Sequence, residues 1–281
     1  MQVSMATSPA KPDQPNEDFT GAVPNAVVLL DGAGLSGTKS TCTHGVAWYT
    51  RRLGGALLAQ LAADDSQDLT TVLGQAIDQV AGAHRGTCDI SDPSSPSATV
   101  IIFRVNDDRA DYLVLADSVL VLDQAGDVPL AIADDREATI GRRYRAAMDA
   151  AVNDTPEHHQ ARREYVEALR AHRNQPGGFW VAADNPQAAS EALTGSRRIR
   201  DLASAVLLSD GASRITDRFG LAEWPEVLAL LDAAGPTEII RRVREAETGD
   251  PYGAQWPRGK THDDATLAHC TQLRERLLLP N

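Results

Sequence analysis

Five short acidic motifs are spread over nearly the whole chain. They are NEDF (16–19), VVLLDGAG (27–34), LVLADS (113–118), AVLLSDGAS (205–213) and THDDATL (261–267). In the middle three, an aspartate directly follows an apolar run typical of a buried strand, and in the last a pair of aspartates precedes such a run. Carboxylates gathered at one edge of neighbouring strands repel each other unless they are protonated or neutralised by a cation. The motifs therefore predict a metal site.

The ligand type indicates which metal such a site would hold. Carboxylate oxygens are hard ligands, which favours magnesium, manganese or calcium over zinc or copper. We find no HExxH motif and no Cys/His cluster with the spacing of a nitrogen- or sulfur-rich site. The Asp-Gly pairs at 31–32 and 210–211 are also ordinary turn signals, although glycine would let the backbone turn sharply and bring a carbonyl close to an ion. The prediction therefore depends on the ordered set of motifs.

Hydrophobic periodicity predicts an α+β fold in which helices cover sheet layers. Strands are predicted at 2–6, 25–30, 98–105, 111–116, 118–123, 129–132, 178–182, 197–200, 204–209 and 265–271. Helices are predicted at 43–63, 68–83, 143–172, 224–234 and 236–247, followed by a short helical tail after 271. The strands between 98 and 132 are joined by short turns, which predicts an antiparallel meander.

Composition limits the class of protein. The chain has 281 residues without an internal repeat or a linker-like tract, so we expect a single domain (1–281) with a polar helical insertion at about 143–172. Apolar runs are too short to span a bilayer, no signal peptide is visible, and three cysteines lack CxxC spacing, which favours a cytoplasmic protein with reduced thiols. A net charge of −12 argues against a nucleic-acid partner.

The ordered set of motifs resembles the type 2C (PPM family) metal-dependent protein phosphatases, in a divergent bacterial-type form. That family has a Glu/Gln-Asp pair near the N-terminus, Asp-Gly after a strand, a Gly-Asp-Ser-Arg hairpin, Ser-Asp-Gly after another strand, and Asp-Asn-x-Thr near the C-terminus. Order and approximate spacing match from Asn16 to Leu267. The resemblance implies a four-layer α-β-β-α sandwich, with two antiparallel sheets packed face to face and helix pairs outside.

The resemblance also implies a set of metal ligands. Asp31 would bridge two Mn²⁺ or Mg²⁺ ions. Glu17 and the carbonyl of Gly32 would complete the coordination of one ion, whereas Asp210 and Asp263 would hold the other.

The resemblance also implies roles for two further aspartates. Asp18 would act in catalysis together with Asp31 and Asp210, by orienting water from outside the ligand shell. Asp117 looks like the residue that holds a third, weaker ion with Asp210. The implied reaction is hydrolysis of a phosphate ester by a metal-activated water, without a protein nucleophile. Asp264 stands where many members have asparagine.

The chain departs from the family pattern where substrate would be held. The arginine that commonly grips phosphate is replaced by Asp13, and the nearest cation is Lys11. The hairpin at 116–119 lacks its glycine and its arginine, and Ala33 occupies a position where some members have histidine. His44 follows the Asp-Gly loop and is a candidate hydrogen-bond donor or a local helix-start residue. The substrate-binding residues are therefore not assigned, and Lys11 and His44 are candidates.

Other polar clusters have simpler interpretations. The run at 134–137 (DDRE) is expected to be a solvated loop, with a loop over the site as the alternative. The EHH run at 157–159 is interpreted as an exposed helix face, because adjacent histidines do not share a face. Cys42 has no apparent partner in the sequence and is expected to be a packed or free thiol.

Three functions are compatible with these observations. The leading hypothesis is a signalling phosphatase that hydrolyses phosphoserine or phosphothreonine on a protein partner, away from membranes and nucleic acid. The missing arginine and altered hairpin favour a second hypothesis, a non-catalytic or regulatory PPM-fold module that binds a phosphoprotein. A third is hydrolysis of a small phosphorylated metabolite. The sequence specifies neither the substrate nor the oligomeric state.

Overall fold

A computed structural model describes residues 1–34, 42–92 and 94–273. Within these residues the strands are β1 (Gln2–Ser8), β2 (Phe19–Val23), β3 (Ala26–Leu30), β4 (Gly32–Ala33), β5 (Ser97–Ala98), β6 (Val100–Asn106), β7 (Arg109–Leu115), β8 (Val119–Gln124), β9 (Leu130–Ile132), β10 (Leu193–Arg198), β11 (Leu202–Leu208) and β12 (Ala265–Thr271). The helices are α1 (Val46–Ala63), α2 (Leu69–Arg85), α3 (Arg136–Gly141), α4 (Ala146–Ala150), α5 (Pro156–Arg170), α6 (Asp210–Asp217), α7 (Trp224–Ala234) and α8 (Pro236–Gly249). The predicted helical tail lies outside the described residues.

The strands form two antiparallel sheets of five strands each. One sheet has the order β1-β12-β11-β8-β9, and the other has the order β10-β7-β6-β3-β2. Strands β4 and β5 form a separate short pair. The first and last described strands are neighbours, with Gln2 opposite Thr271 and Ser8 opposite Ala265.

Strand β3 shows how the apolar runs produce a layered fold. All five of its residues are fully buried. Val28 and Leu30 face α1 and α2, whereas Val27 and Leu29 face the other sheet. Because successive side chains in a strand point to opposite faces, a strand covered on both sides must be apolar throughout. The continuous run in the sequence is the consequence.

Three apolar clusters fill the spaces between four layers. The central cluster joins the inner faces of the two sheets and includes Leu29, Phe103 and Leu207. A second cluster joins the β3–β6–β7 face to α1 and α2. A third joins the β8–β11–β12 face to α6, α7 and α8. The predicted α-β-β-α sandwich is therefore confirmed.

The segment predicted to be helical at 143–172 contains two helices with a break between them. Helix α4 ends at Ala150, and α5 begins after Thr155, whose hydroxyl accepts a hydrogen bond from the His158 N–H at 3.2 Å. Thr155 as the cap and Pro156 in the first turn are typical of a helix start. Helix α3 lies upstream of the predicted segment. None of the helices in the described residues is long and apolar enough to span a bilayer.

Two predicted strands are altered in the structure. The segment at 178–182 makes only isolated bridges, and its Phe179 and Val181 pack against α3 and α5. The strand predicted at 197–200 begins earlier, at Leu193, and gives way to a 3₁₀ turn at Ile199–Asp201. Strand β2 was not predicted from the sequence. It is short, half-exposed and interrupted by a glycine, so it lacks the alternation of apolar and polar residues that indicates a strand.

Candidate metal centre

The strand register places the acidic motifs at one edge of the two sheets. The last residue of β3, Leu30, pairs with the first residue of β2, Phe19. The last residue of β11, Leu208, pairs with Val119 at the start of β8 and Leu267 near the start of β12. In antiparallel sheets the end of one strand lies beside the start of the next. The residues that follow β3 and β11 therefore lie beside those that precede β2, β8 and β12.

Asp31 lies at the centre of this edge. Its Oδ2 accepts a hydrogen bond from the backbone N–H of Asp210 at 3.1 Å, which joins one sheet directly to the other. Burial raises the pKa of Asp31 well above its usual range, and the negative charges of Asp18, Asp210, Asp263 and Asp117 raise it further. The structure thus brings together five of the six carboxylates proposed for the site.

Asp18 and Asp117 are buried carboxyls whose negative charge is only partly compensated. Burial raises the pKa of Asp18 to about 8, although hydrogen bonding to the hydroxyls of Thr266 and Ser209 opposes the shift. Burial with the nearby charge of Asp210 raises the pKa of Asp117 to about 7. A buried carboxylate whose charge is incompletely compensated is unstable unless a proton or a cation neutralises it. This oxygen-rich set fits a hard divalent cation.

Two glycines allow the segments at this edge to approach each other. A Cβ on Gly32 would lie 2.4 Å from the carbonyl oxygen of Glu17 and 2.5 Å from Val46. A Cβ on Gly211 would lie 1.9 Å from the carbonyl oxygen of Asp264. Neither glycine has a positive φ. Glycine is therefore required at both positions because a side chain would collide with the neighbouring segment, not because the backbone adopts a left-handed turn.

Asp263 is held by two cationic side chains. Lys260 Nζ donates to its Oδ1 at 2.6 Å, and Arg214 Nη2 donates to its Oδ2 at 2.8 Å. Burial opposes ionisation of Asp263, yet the charges of Lys260 and Arg214 hold its pKa below the usual range. Arg214 is fixed in turn by Glu247, at 2.7 Å. Asp263 is therefore ionised and firmly oriented at the centre.

Lys260 belongs to the site, although sequence reasoning missed it. Burial disfavours its charge, but Asp263, Asp210 and Asp31 raise its pKa above the usual range. The ammonium group therefore neutralises part of the negative charge at this edge. Lys260 lies in an irregular loop between α8 and β12, where no periodic pattern could indicate its position.

Asp264 anchors the N-terminal segment that carries Glu17. One carboxyl oxygen accepts from the backbone N–H of Ala10 at 2.7 Å, and the other accepts from the N–H of Glu17 at 2.7 Å. Both oxygens are thus acceptors for backbone donors. An asparagine would offer only one acceptor oxygen and place its NH₂ against the other donor. The contacts explain why aspartate suits this chain at a position where the resemblance expects asparagine.

Arg162, on α5, is a further residue of the site that the sequence did not indicate. Its Nε lies 3.8 Å from the place that a Cβ on Gly259 would occupy, and its charge acts on Glu17 and Asp263. Burial lowers its pKa. Within the described residues, the Arg162 guanidinium forms no hydrogen bond or ion pair, so a strong cationic donor remains available beside the carboxylates.

The sequence candidates for substrate binding lie elsewhere. Lys11 is exposed in a turn and forms no ion pair with the described residues. His44 precedes α1, where its ring stacks on Trp48 at 4.2 Å and its Nδ1 lies 3.5 Å from Cys88 Sγ. The structure therefore gives neither residue a contact with the carboxylates.

Two of the simpler interpretations are wrong. The DDRE run is not a solvated loop, because Asp134 is buried against Arg136 at 2.5 Å and the charge of Glu137 acts on Asp117. The alternative, a segment over the site, fits the structure. The EHH run is not wholly exposed, because His158 is buried and its Nε2 lies 2.9 Å from the carbonyl oxygen of Arg258.

Comparison with known proteins identifies the family. The family model described as protein phosphatase 2C matches residues 7–238. The chain belongs to the protein phosphatase 2C family. The resemblance that the acidic motifs predicted is thereby confirmed. No curated protein sequence matches the chain.

Solved structures of other protein phosphatases of this family share the fold. The serine/threonine phosphatase Stp1 from Staphylococcus aureus has a TM-score of 0.58 at 14% identity, covering 96% of this chain and 94% of that one. The catalytic domain of the phosphatase PstP, solved with two manganese ions, has a TM-score of 0.56 at 18% identity, covering 96% and 97%. MsPP from Mycobacterium smegmatis, solved with cacodylate, has a TM-score of 0.55 at 16% identity, covering 96% and 98%.

The anchor formed by Asp264 can be tested in this protein phosphatase 2C member by the isosteric change Asp264→Asn. We expect the variant to lose about 1 to 3 kcal/mol of stability, because one buried backbone N–H loses its acceptor. Urea unfolding would measure the loss. Asp232→Asn on exposed α7 is the matched control and should change stability by no more than about 0.5 kcal/mol. Equal stabilities of the two variants would contradict the anchor.

The raised pKa values of Asp18 and Asp117 predict how the metal-free protein responds to pH. Between pH 6 and 8 these carboxyls retain protons in the folded state that they have already lost in the unfolded state, so the free energy of unfolding should fall as pH rises. Urea unfolding in chelator should show this slope, and Asp117→Asn should reduce it. Added Mn²⁺ should restore stability most at pH 8. A slope that Asp117→Asn leaves unchanged would contradict the assignment.

Proposed function

We propose that the protein is a metal-dependent phosphatase, acting as a single domain, that hydrolyses phosphoserine and phosphothreonine esters on proteins. Membership of the protein phosphatase 2C family supports the phosphatase class. The observation that carries the proposal is the contact between Asp31 and the Asp210 N–H, around which further aspartates converge. Such a concentration of carboxylates favours binding of Mn²⁺ or Mg²⁺.

The proposed metal ligands are those that the acidic motifs supply. Asp31 would be shared by two ions, with Glu17 and the Gly32 carbonyl on one side and Asp210 and Asp263 on the other. Asp117 would contribute to a third site. Bound divalent cations would lower the pKa of water and offset negative charge on phosphoryl oxygens.

The chain's own residues would orient the reactants. Asp18 has two buried carboxyl oxygens, each with more than one lone pair, so it can accept hydrogen bonds from water at the centre. Lys260 is fixed to Asp263 at 2.6 Å and keeps that carboxylate ionised. Its ammonium would add a permanent positive charge beside the phosphoryl group, where negative charge must be stabilised.

Arg162 is the proposed phosphate-binding residue. The family's usual arginine position is occupied by Asp13, and α5 supplies a guanidinium from another part of the chain. Arginine suits this role because its planar fork can donate two parallel hydrogen bonds to phosphate oxygens. Its charge already acts on Glu17 and Asp263, and its donors are unpaired within the described residues.

One observation favours a second candidate function, a non-hydrolytic module that binds phosphoproteins. Both oxygens of Asp263 are engaged by Lys260 and Arg214, and these cations compete with a metal for the same carboxylate. Calorimetry with a phosphopeptide separates the two functions. Binding without release of phosphate in the presence of Mn²⁺ would favour the module, whereas multiple turnovers would exclude it.

Replacing one proposed ligand should abolish hydrolysis. We expect Asp210→Asn to reduce Mn²⁺-stimulated hydrolysis of p-nitrophenyl phosphate by about 100-fold or more, since even residues outside a ligand shell contribute about 10- to 100-fold. Steady-state rates across a manganese titration would measure this. Asp201→Asn, on a side chain that is 62% exposed, is the matched control and should retain activity. A wild-type protein without metal-stimulated activity would overturn the proposed function.

Removing the proposed phosphate donor should weaken substrate binding. We expect Arg162→Ala to raise KM for a phosphopeptide by about 10-fold or more, because charge-assisted hydrogen bonds contribute about 1.5 to 3 kcal/mol. The inhibition constant of inorganic phosphate should rise in parallel. Arg163→Ala is the control, since Arg163 is exposed and bonds Gln160 at 2.5 Å. Identical phosphate inhibition in both variants would argue against this role of Arg162.

A further inference from the structure

A second group of metal-binding side chains lies apart from the carboxylates. Cys42, His44, His84 and Cys88 place their ligand atoms within 4.8 Å of one another. Cys42 and His44 precede α1, whereas His84 and Cys88 lie at the C-terminal end of α2. Two segments about forty residues apart thus supply two sulfur and two nitrogen ligands to one place.

The distances within this Cys/His cluster are those of a nearly formed tetrahedral site. Cys42 Sγ lies 2.9 Å from His84 Nε2, and Cys88 Sγ lies 3.5 Å from His44 Nδ1. Ligand atoms about 2.0 to 2.3 Å from a tetrahedral zinc ion are roughly 3.3 to 3.8 Å from one another. Adjustments of about an ångström in side-chain position would therefore bring all four atoms to zinc-binding distances.

The backbone fixes the two halves of the cluster. The N–H of Cys88 donates to the carbonyl of His84 at 3.2 Å, which continues the helical hydrogen-bond pattern by one turn beyond α2. Residues four apart in such a turn share a face, so His84 and Cys88 point the same way. On the other segment, the N–H of His44 donates to Cys42 Sγ at 3.3 Å and holds the two ligands beside each other.

The surroundings also suit metal-bound thiolates. The N–H of Thr43 donates to Cys88 Sγ at 3.3 Å, so each sulfur accepts a backbone hydrogen bond. Such donors stabilise negative charge on sulfur. Trp48 covers one side, stacked on His44 at 4.2 Å and tilted against His84 at 5.3 Å. Cys42 and His84 are buried, whereas His44 and Cys88 are half-buried at the edge of the cluster, and hydrogen bonds and ring contacts support all four side chains.

We propose that Cys42, His44, His84 and Cys88 form a structural Zn²⁺ site. Two thiolates and two imidazoles match the ligand preference of zinc, and four protein ligands leave no open position for catalysis. The ion would tie the start of α1 to the end of α2. Zinc binding would release the thiol protons of both cysteines, because the metal binds thiolates rather than thiols.

This cluster corrects two expectations from the sequence. We found no Cys/His spacing typical of a metal site and interpreted Cys42 as a packed or free thiol. The ligands are instead arranged as C-x-H and H-x₃-C. The second pair is spaced as in many zinc sites, so it was a signal that could have been recognised.

Cobalt substitution tests the proposal with a readout that the acidic centre cannot produce. We expect the full-length protein to bind Co²⁺ with a thiolate-to-cobalt charge-transfer band and the strong visible absorption of tetrahedral Co²⁺. Both signals should be lost in Cys42→Ser and Cys88→Ser. Cys270→Ala, which removes the remaining thiol from β12, should retain them, and so should Asp210→Asn. Zn²⁺ should displace the Co²⁺ and abolish the signals.

A zinc-edge X-ray absorption spectrum of the wild-type protein provides a measurement that requires no variant. We expect a shell of two sulfur and two nitrogen neighbours. A shell of oxygen and nitrogen neighbours alone, or cobalt spectra that do not change in Cys42→Ser and Cys88→Ser, would overturn the proposal. A wild-type protein that resists zinc loading because Cys42 and Cys88 form a disulfide would overturn it as well. These results are independent of phosphatase activity.

Discussion

Repulsion among buried carboxylates is the constraint on which the rest of the structure depends. The two sheets stack so that their strand ends meet, and this places Asp18, Asp31, Asp117 and Asp210 within one another's electrostatic field. Carboxylates so arranged require protons or cations. The chain supplies part of the cationic charge itself through Lys260, and the uncompensated negative charge would favour the proposed divalent ions.

The fold and the acidic centre could be predicted because their signals are local. A strand buried on both faces has to be apolar at every position, so β3 and β11 are visible as continuous runs. The aspartates that follow these runs occupy the turn where a strand leaves its sheet. Stacking of the two sheets then brings Asp31 and Asp210 to the same edge, where the Asp210 N–H donates to Asp31. Glu17 was assigned by resemblance, and the Asp264 contact now explains how it is held.

The remaining features depend on contacts between distant segments, which the sequence does not specify. Arg162 reaches the centre only because α5 packs beside the loop that contains Gly259. The Cys/His cluster exists only because α1 and α2 are neighbours. Asp264 stands at a position where the family often has asparagine. In the structure its carboxylate accepts hydrogen bonds from the backbone N–H groups of Ala10 and Glu17 in the N-terminal segment. The type of each residue shows which atoms can donate, accept or bind a metal. Tertiary packing decides which other residues those atoms contact.

The position of β12 between β1 and β11 has a consequence for the order in which the protein is assembled. During synthesis, β1 leaves the ribosome early and has no neighbour of its own sheet until β12 follows, because its pairing partners are residues 265–271. Asp263 and Asp264 lie directly before that strand, and Asp264 holds the segment of Glu17. A nascent chain can therefore fold its α1–α2 face while the acidic centre is still incomplete. The proposed carboxylate ligands come together only once the last described strand has closed the sheet.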